Sequence, residues 1–389
     1  NRFKKFGIVA MLRGKVNNNM FSNIYTGKKV LITGHTGFKG SWLCVWLLKL
    51  GADVVGVSKD IPTQPSMFEE LNIAKKIKNI EADIRDLSSM CKIIRTEQPD
   101  YIFHLAAQAI VSTSYSEPVD TISTNVIGTL NILEALRTFE HNCIAVMITS
   151  DKCYDNVESI WGYRETDHLG GKDVYSGSKG AAELLIKSYI NSFFHIDHPV
   201  KLAIGRAGNV IGGGDWATNR IIVDCMRAWS KGDIVEIRSP NATRPWQHVL
   251  EPLSGYLALG ELLAQQPQLH GNAFNFGPRA EQNHTVVDLL EDLSRQWGFN
   301  DSSEAYKIID NIPFHEAELL KLNCDKSLFY LKWESNLIYD ETIKFVGDWY
   351  AAFYRGKLDM YELTLEQIET YEKIAIERKK YWSQEYKIL

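Results

Sequence analysis

Tyr175 and Lys179 stand four residues apart, and Ser150-Asp151-Lys152 lies upstream of them. At a spacing of four, a phenol and an ammonium share one face of a helix. A cation beside a phenol favours the phenolate and turns a weak acid into a usable base. Oxidising an alcohol needs a hydroxyl, a tyrosine and a lysine, which Ser150, Tyr175 and Lys179 supply. Asp151 and Lys152 are then left over, and an acid beside an amine points to a second proton transfer on the same substrate. Tyr154 and Tyr163 are rival phenols, but neither has a lysine four residues on.

These groups must be held by a repeating framework. Lys28–Thr33, Asp53–Val57, Ile80–Ala82, Tyr101–Leu105, Ile144–Ile148 and Lys201–Ile204 read as short buried strands. Helical patterns fall between them, at 41–50, 87–96, 120–138 and from Tyr175 to Phe193. Alternation of this kind predicts an α/β fold: a Rossmann-type doubly wound parallel sheet, covered on both faces. Ala273–Phe276 is expected to return to the sheet, and Val286–Trp297 to form an amphipathic helix. The implied organisation is an extension over 1–19, a dinucleotide-binding domain over 20–205 with a returning strand near 272–277, a smaller mixed α/β substrate-binding region over 206–350, and a helical tail over 351–389. The charged tail beyond 360 reads as a solvated surface helix. The basic, Asn-rich first residues hold only a short apolar run, Ile8–Leu12, unlike a signal peptide, and Met20 is a plausible start.

Gly34, Gly37 and Gly40 follow the first strand and open the first helix. Glycines let the backbone turn tightly and approach a pyrophosphate, which then sits at the positive end of that helix. His35, Phe38 and Lys39 complete this loop. An acid near the end of the second strand would bind the adenosine ribose; Asp60 fills that role and favours NAD, although Ser58 holds the strand-end slot and Lys59 is adjacent. Asp83 and Ile84 follow the third strand, where an acid meets an adenine amine. Leu105, Ala106, Ala107 and Gln108 end the fourth, at the edge where open α/β sheets bind ligands.

Composition excludes several classes. The 389 residues are 45% hydrophobic and 23% charged, with a net charge of -5, so neither nucleic acid nor a membrane surface is an expected partner. No apolar run is long enough to span a bilayer. The six cysteines are scattered without a CxxC pair, which predicts a cytoplasmic protein with reduced thiols and no metal site.

Taken together, Thr33-Gly-x-x-Gly-x-x-Gly40, Asp83-Ile84, His104–Ala107, Asn125, Ser150 and Tyr175-x-x-x-Lys179 resemble the extended short-chain dehydrogenase/reductase superfamily over about 28–350. Gly34–Trp42, His104–Gln108, Thr149–Tyr154 and Arg244–Val249 are similar to the CDP-glucose branch of the sugar-nucleotide 4,6-dehydratases. Related branches carry Asp-Glu where this chain has Asp151-Lys152. Ser112 departs from a basic residue common in the branch. The resemblance implies a lyase of deoxysugar biosynthesis for surface polysaccharide such as O-antigen, acting on CDP-glucose with NAD. It implies a homodimer built on the helices near 120–138 and 175–193. It adds Asn125 to the cofactor residues and gives Lys179 the nicotinamide ribose. Arg244 would bind the substrate diphosphate, with Asn209, Arg220, Arg279 and His315 as further substrate residues. Asp151 would protonate a leaving C6 hydroxyl and Lys152 would take the C5 proton. A sugar-nucleotide 4-epimerase, which needs no Asp151-Lys152 pair, and a non-catalytic NAD-binding protein are the alternatives.

Overall fold

The computed structural model describes residues 19–237, 239–279, 281–282, 284–309, 319–356 and 358–384. His315 and residues 1–18 of the expected extension lie outside them. Seven strands form one parallel sheet: β1 (Lys29–Thr33), β2 (Asp53–Ser58), β3 (Lys78–Glu81), β4 (Tyr101–His104), β5 (Cys143–Ile148), β6 (Val200–Ala207) and β7 (Ala273–Phe276). The order across the sheet is β7-β6-β5-β4-β1-β2-β3. The chain therefore builds outward from β1 in one direction, then crosses to β4 and builds in the other. Ligands of such sheets bind where that order reverses, at the carboxyl ends of β1 and β4. β1 is buried through Val30, Leu31, Ile32 and Thr33, because helices cover both faces and leave no side for polar residues.

Helix α1 (Phe38–Lys49) begins three residues earlier than expected, so the glycine loop is only Gly34–Gly37. The helix α2 (Leu87–Glu97) is capped by Asp86, which accepts from the amides of Ser88 and Ser89. The single helix expected over 120–138 is broken. Pro118–Ile122 is α-helical, Ser123–Ile127 is a π turn, and α3 runs Gly128–Arg137. Helix α4 (Val174–Ser192) starts where Asp173 accepts from the Ser176 amide at 2.9 Å, which sets Tyr175 in its first turn.

Beyond β6 the chain adds α5 (Ile221–Trp229), α6 (Leu250–Gln265), α7 (Val286–Trp297), α8 (Tyr339–Arg355) and α9 (Met360–Glu377). The tail corrects the expectation of a solvated helix. Ile368, Tyr371, Glu372 and Ala375 of α9 are buried. Glu372 accepts from Trp46 Nε1 at 2.9 Å and from Lys49 Nζ at 2.6 Å, both on α1. Glu251 on α6 accepts the amides of Asn336 and Leu337 at 2.8 and 2.6 Å and the Tyr371 hydroxyl at 3.0 Å. Burial pushes Glu251 up to about 7. Met20 and Phe21 are also core residues, and Phe21 stacks on Trp382 with ring centroids 5.0 Å apart. Among the described residues no helix is long and apolar enough to cross a membrane.

Candidate active site

The carboxyl ends of β1, β4 and β5 and the first turns of α1 and α4 converge on one site. Gly34 has φ +77, and a Cβ there would lie 2.7 Å from the Ala106 amide nitrogen. The loops after β1 and β4 are thus in direct contact, which only glycine permits. A Cβ on Gly37 would meet Gly34 O at 3.3 Å and nothing else nearby, so this corner of the loop is open to a ligand. The first-turn amides of α1 have no intrahelical acceptor and face that corner with the positive end of the helix dipole.

The other expected cofactor residues divide. His35 points inward rather than to the loop face. Its ring is fully buried, bonded to Asn79 at 2.7 Å and Ser58 at 3.0 Å, and sits where a side chain on Gly56 would be. Asp60 is exposed and lies 3.6 Å from Lys59. The carboxylate of Asp83 is held by Arg85 through Nε at 2.9 Å and Nη2 at 2.6 Å, and Arg85 also pairs with Asp120. That guanidinium holds Asp83 below the usual carboxylate range. Ile84 is buried against Gly128, and its carbonyl accepts from Asn131 at 2.9 Å. Asn125, set by the π turn, is a clamp: its Oδ1 accepts the Gln108 amide at 2.9 Å, and its Nδ2 donates to Gln108 O at 3.0 Å and Ser178 Oγ at 2.8 Å. It therefore fixes the loop after β4 against α4.

After β5 the chain makes a 3-10 turn over Asp151–Cys153, with Ser150 as its cap. Ser150 Oγ accepts the Lys152 amide at 3.2 Å and donates to Asp151 Oδ1 at 2.9 Å. Asp151 is 4% exposed, and Lys152 is half-buried beside it. Tyr175 and Lys179 are each 7% exposed, with the ammonium 5.8 Å from the phenol ring centre. Burial and the charge of Asp151 push Tyr175 up to about 12, while a hydrogen bond to Ser150 and the charge of Arg220 pull it down. The phenol is thus the reverse of activated, because burial outweighs the pull of Ser150 and Arg220. Burial also brings Lys179 down to about 8, against the opposing pull of Cys153 and Glu183.

Beneath this layer runs a buried network. Glu183, one turn beyond Lys179, accepts from Arg206 Nε and Nη2, both at 2.8 Å, and from the Thr149 hydroxyl. Arg206 Nη1 donates to Tyr154 Oη at 2.7 Å, and Tyr154 donates to Asn275 Oδ1 on β7 at 2.7 Å. The network joins β5, α4, β6 and β7 directly under Ser150.

Three residues near the centre exceed what spacing revealed. Lys39, expected to serve the cofactor, sends its ammonium toward Tyr256, 6.0 Å from that ring, in the field of Arg220, Asp151, Lys179 and Asp215. Burial first, then Arg220, lowers it to about 8. Asp215 is 6% exposed and lies 3.4 Å from Arg220. Tyr256 is fully buried. A charged residue between two loop glycines was the one visible signal; nothing in the sequence marks Tyr256.

Of the expected substrate residues, Asn209 and Arg220 gather at the site. Gly208 abuts Asp151, with its Cβ position 3.2 Å from Oδ2, and Asn209 is next in the chain. Arg244 lies on a short strand paired with His284 and donates to Thr243 O at 2.9 Å. Arg279 instead pairs with Glu334 at 3.1 Å, in a cleft it shares with Arg378 and Lys380. Ser112 accepts from Asn219 at 3.0 Å, one residue before Arg220.

The family model described as GDP-mannose 4,6 dehydratase matches residues 31–345. The CDP-glucose 4,6-dehydratase of Salmonella typhimurium is 44% identical over 355 residues, covering 90% of this chain and 97% of that one. The CDP-paratose 2-epimerase of Salmonella typhi is 26% identical, covering 83% and 99%. Among solved structures, a dTDP-glucose 4,6-dehydratase of Streptomyces venezuelae with NAD bound has a TM-score of 0.71 at 20% identity, covering 83% and 96%. A UDP-glucose 4-epimerase of Stenotrophomonas maltophila with NAD bound has a TM-score of 0.73 at 20% identity, covering 85% and 100%. At these identities the structural likeness is one of fold, shared by dehydratases and epimerases alike.

Proposed function

The chain belongs to the GDP-mannose 4,6 dehydratase family, and from that premise we propose that it removes water from CDP-D-glucose to give CDP-4-dehydro-6-deoxy-D-glucose, with NAD as resident cofactor. The observation that carries this reading is the Ser150-Asp151-Lys152 turn at the carboxyl end of β5, packed against α4 with its buried Tyr175 and Lys179. The cytidine nucleotide comes from the 44% identical relative.

NAD fits the residues present: an open glycine corner at Gly37, the amino end of α1 for the pyrophosphate, and the Lys179 ammonium, buried near Tyr175, for a ribose hydroxyl. When bound, NAD supplies the redox chemistry, hydride uptake from C4 and hydride return to C6. The rest falls to the chain. Tyr175 takes the proton of the C4 hydroxyl, and Ser150 holds the C4 oxygen. Lys179 offsets the charge on the phenolate. A ketone at C4 makes C5 acidic, and Lys152 withdraws the C5 proton. Asp151 protonates the C6 oxygen, which leaves as water. Arg244, with Arg220 and Asn209, would receive the diphosphate.

The test is a panel of CDP-, dTDP-, GDP- and UDP-glucose with added NAD, read by mass and NMR. A CDP-linked 4-keto-6-deoxy sugar is expected, with solvent deuterium at C5 and the substrate's own C4 hydrogen at C6. CDP-galactose as the product would replace this reading with a 4-epimerase.

The same reading includes a homodimer. Tyr115 on the short helix Val111–Ser116, Val119, Ile122 and Ile127 on the broken helix, and Leu184 and Phe193 at α4 are exposed, and Val119 reaches 81%. Light scattering is expected to give twice the 44.3 kDa chain mass. A monomer there would remove the dimer and leave the chemistry standing.

A further inference from the structure

Five glycines fall between residues 205 and 214, at and beyond the end of β6. Four of them yield their side-chain space to the protein itself. Tyr256 occupies it at Gly205, Val249 and Phe38 at Gly212, Trp349 at Gly213 and Met67 at Gly214. Gly208 differs. Apart from its own neighbours in the chain, a Cβ there would meet only the Asp151 carboxyl, 3.2 Å from Oδ2 and 3.8 Å from Cγ, and no other described atom within 4 Å. Packing therefore does not call for a glycine at this position. Neither does the backbone, since φ at Gly208 lies outside the left-handed region that favours glycine.

The two oxygens of Asp151 are not equivalent. Oδ1 accepts the Ser150 hydroxyl at 2.9 Å, whereas Oδ2 has no hydrogen-bond partner among the described residues. Oδ2 is thus the oxygen left to carry an acidic proton, and Gly208 lines the open approach to it. The chain around Gly208 is tied in place. Gly205 O accepts the Thr149 amide at 2.9 Å, and Asn209 O accepts the Gln247 amide at 3.3 Å. A side chain at 208 would therefore press on the carboxyl rather than draw back from it.

On the dehydratase reading above, we infer that Gly208 determines access of the hexose C6 hydroxymethyl group, keeping Asp151 Oδ2 open so that the C6 oxygen reaches its proton. In the elimination, Lys152 takes the C5 proton and the C5–H electron pair becomes the C5–C6 double bond. The C6–O bond breaks with its pair on oxygen, and the proton on Oδ2 joins that oxygen to make water. Asp151 leaves the step as the carboxylate and regains a proton from water between turnovers. A methyl group at 208 would stand about 3 Å from Oδ2, the distance at which the C6 oxygen must sit to be hydrogen-bonded. The two cannot share that space. A sugar that ends at C5 needs none of it, so Gly208 bears on the C6 group and not on the chemistry at C4.

The test is Gly208→Ala, compared on CDP-glucose and on CDP-xylose, whose sugar lacks C6. Calorimetry on the NADH-loaded protein, which cannot turn over, gives the affinity for each. CDP-glucose is expected to weaken at least about tenfold and CDP-xylose by less than about twofold, as for one methyl group of misfit in a pocket. In single turnovers of the NAD-loaded protein with CDP-glucose, water loss read by mass is expected to slow by about 10²-fold, the scale for reacting groups displaced by ~1 Å. Thermal denaturation is expected to match the wild type, because the added methyl meets only the tip of a carboxyl. Equal weakening of both nucleotides, unchanged water loss, or failure of the variant to fold would each overturn the role of Gly208. Absence of any 4-keto-6-deoxy product from the wild type would instead remove the dehydratase reading itself.

Discussion

Asp151→Asn stalls the protein between its two halves. The amide has the shape of the carboxyl, and the cap of the 3-10 turn belongs to Ser150, so the turn persists. What is lost is the acid for the C6 oxygen. In the proposed mechanism C4 oxidation relies on Tyr175, Ser150 and Lys179 and is expected to continue, whereas water loss is expected to fall by about 10²–10⁴-fold. The expected observation is a persistent reduced-nicotinamide signal, together with a trapped CDP-4-keto sugar that still carries its C6 oxygen. Tyr175→Phe behaves in the opposite way and gives no reduced cofactor at all. Normal turnover by Asp151→Asn would require another acid and would end the assignment.

Glu183→Gln is expected to cost about 3–5 kcal/mol of folding stability, the range for removing one partner of a buried ion pair. Glu183 and Arg206 have side-chain exposures of 2% and 4%, so solvent cannot take over from the missing charge. The change leaves a buried guanidinium that still bonds Tyr154 but has lost its carboxylate. Equilibrium denaturation measures the cost. The double variant Glu183→Leu/Arg206→Met is expected to recover part of the loss, because no unpaired charge remains. Recovery stays incomplete, since the Thr149 and Tyr154 hydroxyls lose partners. A single variant within 1 kcal/mol of wild type (roughly the value of an exposed pair) would show that water reaches the pair.

Residues that follow from local chemistry were legible in the sequence. Val286–Trp297 is helical over the span its apolar period predicts, and β1 and β5 follow from apolar runs that only a doubly covered sheet can bury. The grouping of Ser150 with Tyr175 and Lys179 follows from strand-end and helix-start positions that a parallel sheet brings to one edge. Side-chain direction was not legible. His35 and Lys39 sit in the same short stretch, yet one turns under β2 against Gly56 and the other toward Tyr256, more than two hundred residues on. Arg279 bonds Glu334, which also pairs with Lys380 near the far end of the chain. The π turn at Ser123–Ile127 changes a helix by a single register step that no periodicity of this length resolves. The charged tail misled for a related reason. Its Glu and Lys content describes one face, while Ile368, Tyr371 and Ala375 form the other.

The grip of Glu372 on Trp46 and Lys49 sets an order of events in synthesis. The helix that carries the glycine loop emerges early from the ribosome, but its outer face is closed by residues made more than three hundred positions later, and its sheet is completed by β7 near the end of the third quarter of the chain. Until then Trp46 and the edge of β6 are exposed, so a nascent chain presents an unfinished cofactor platform for most of its translation. Completion of the packing around the glycine-loop helix is therefore a late event, reached when α9 docks on α1.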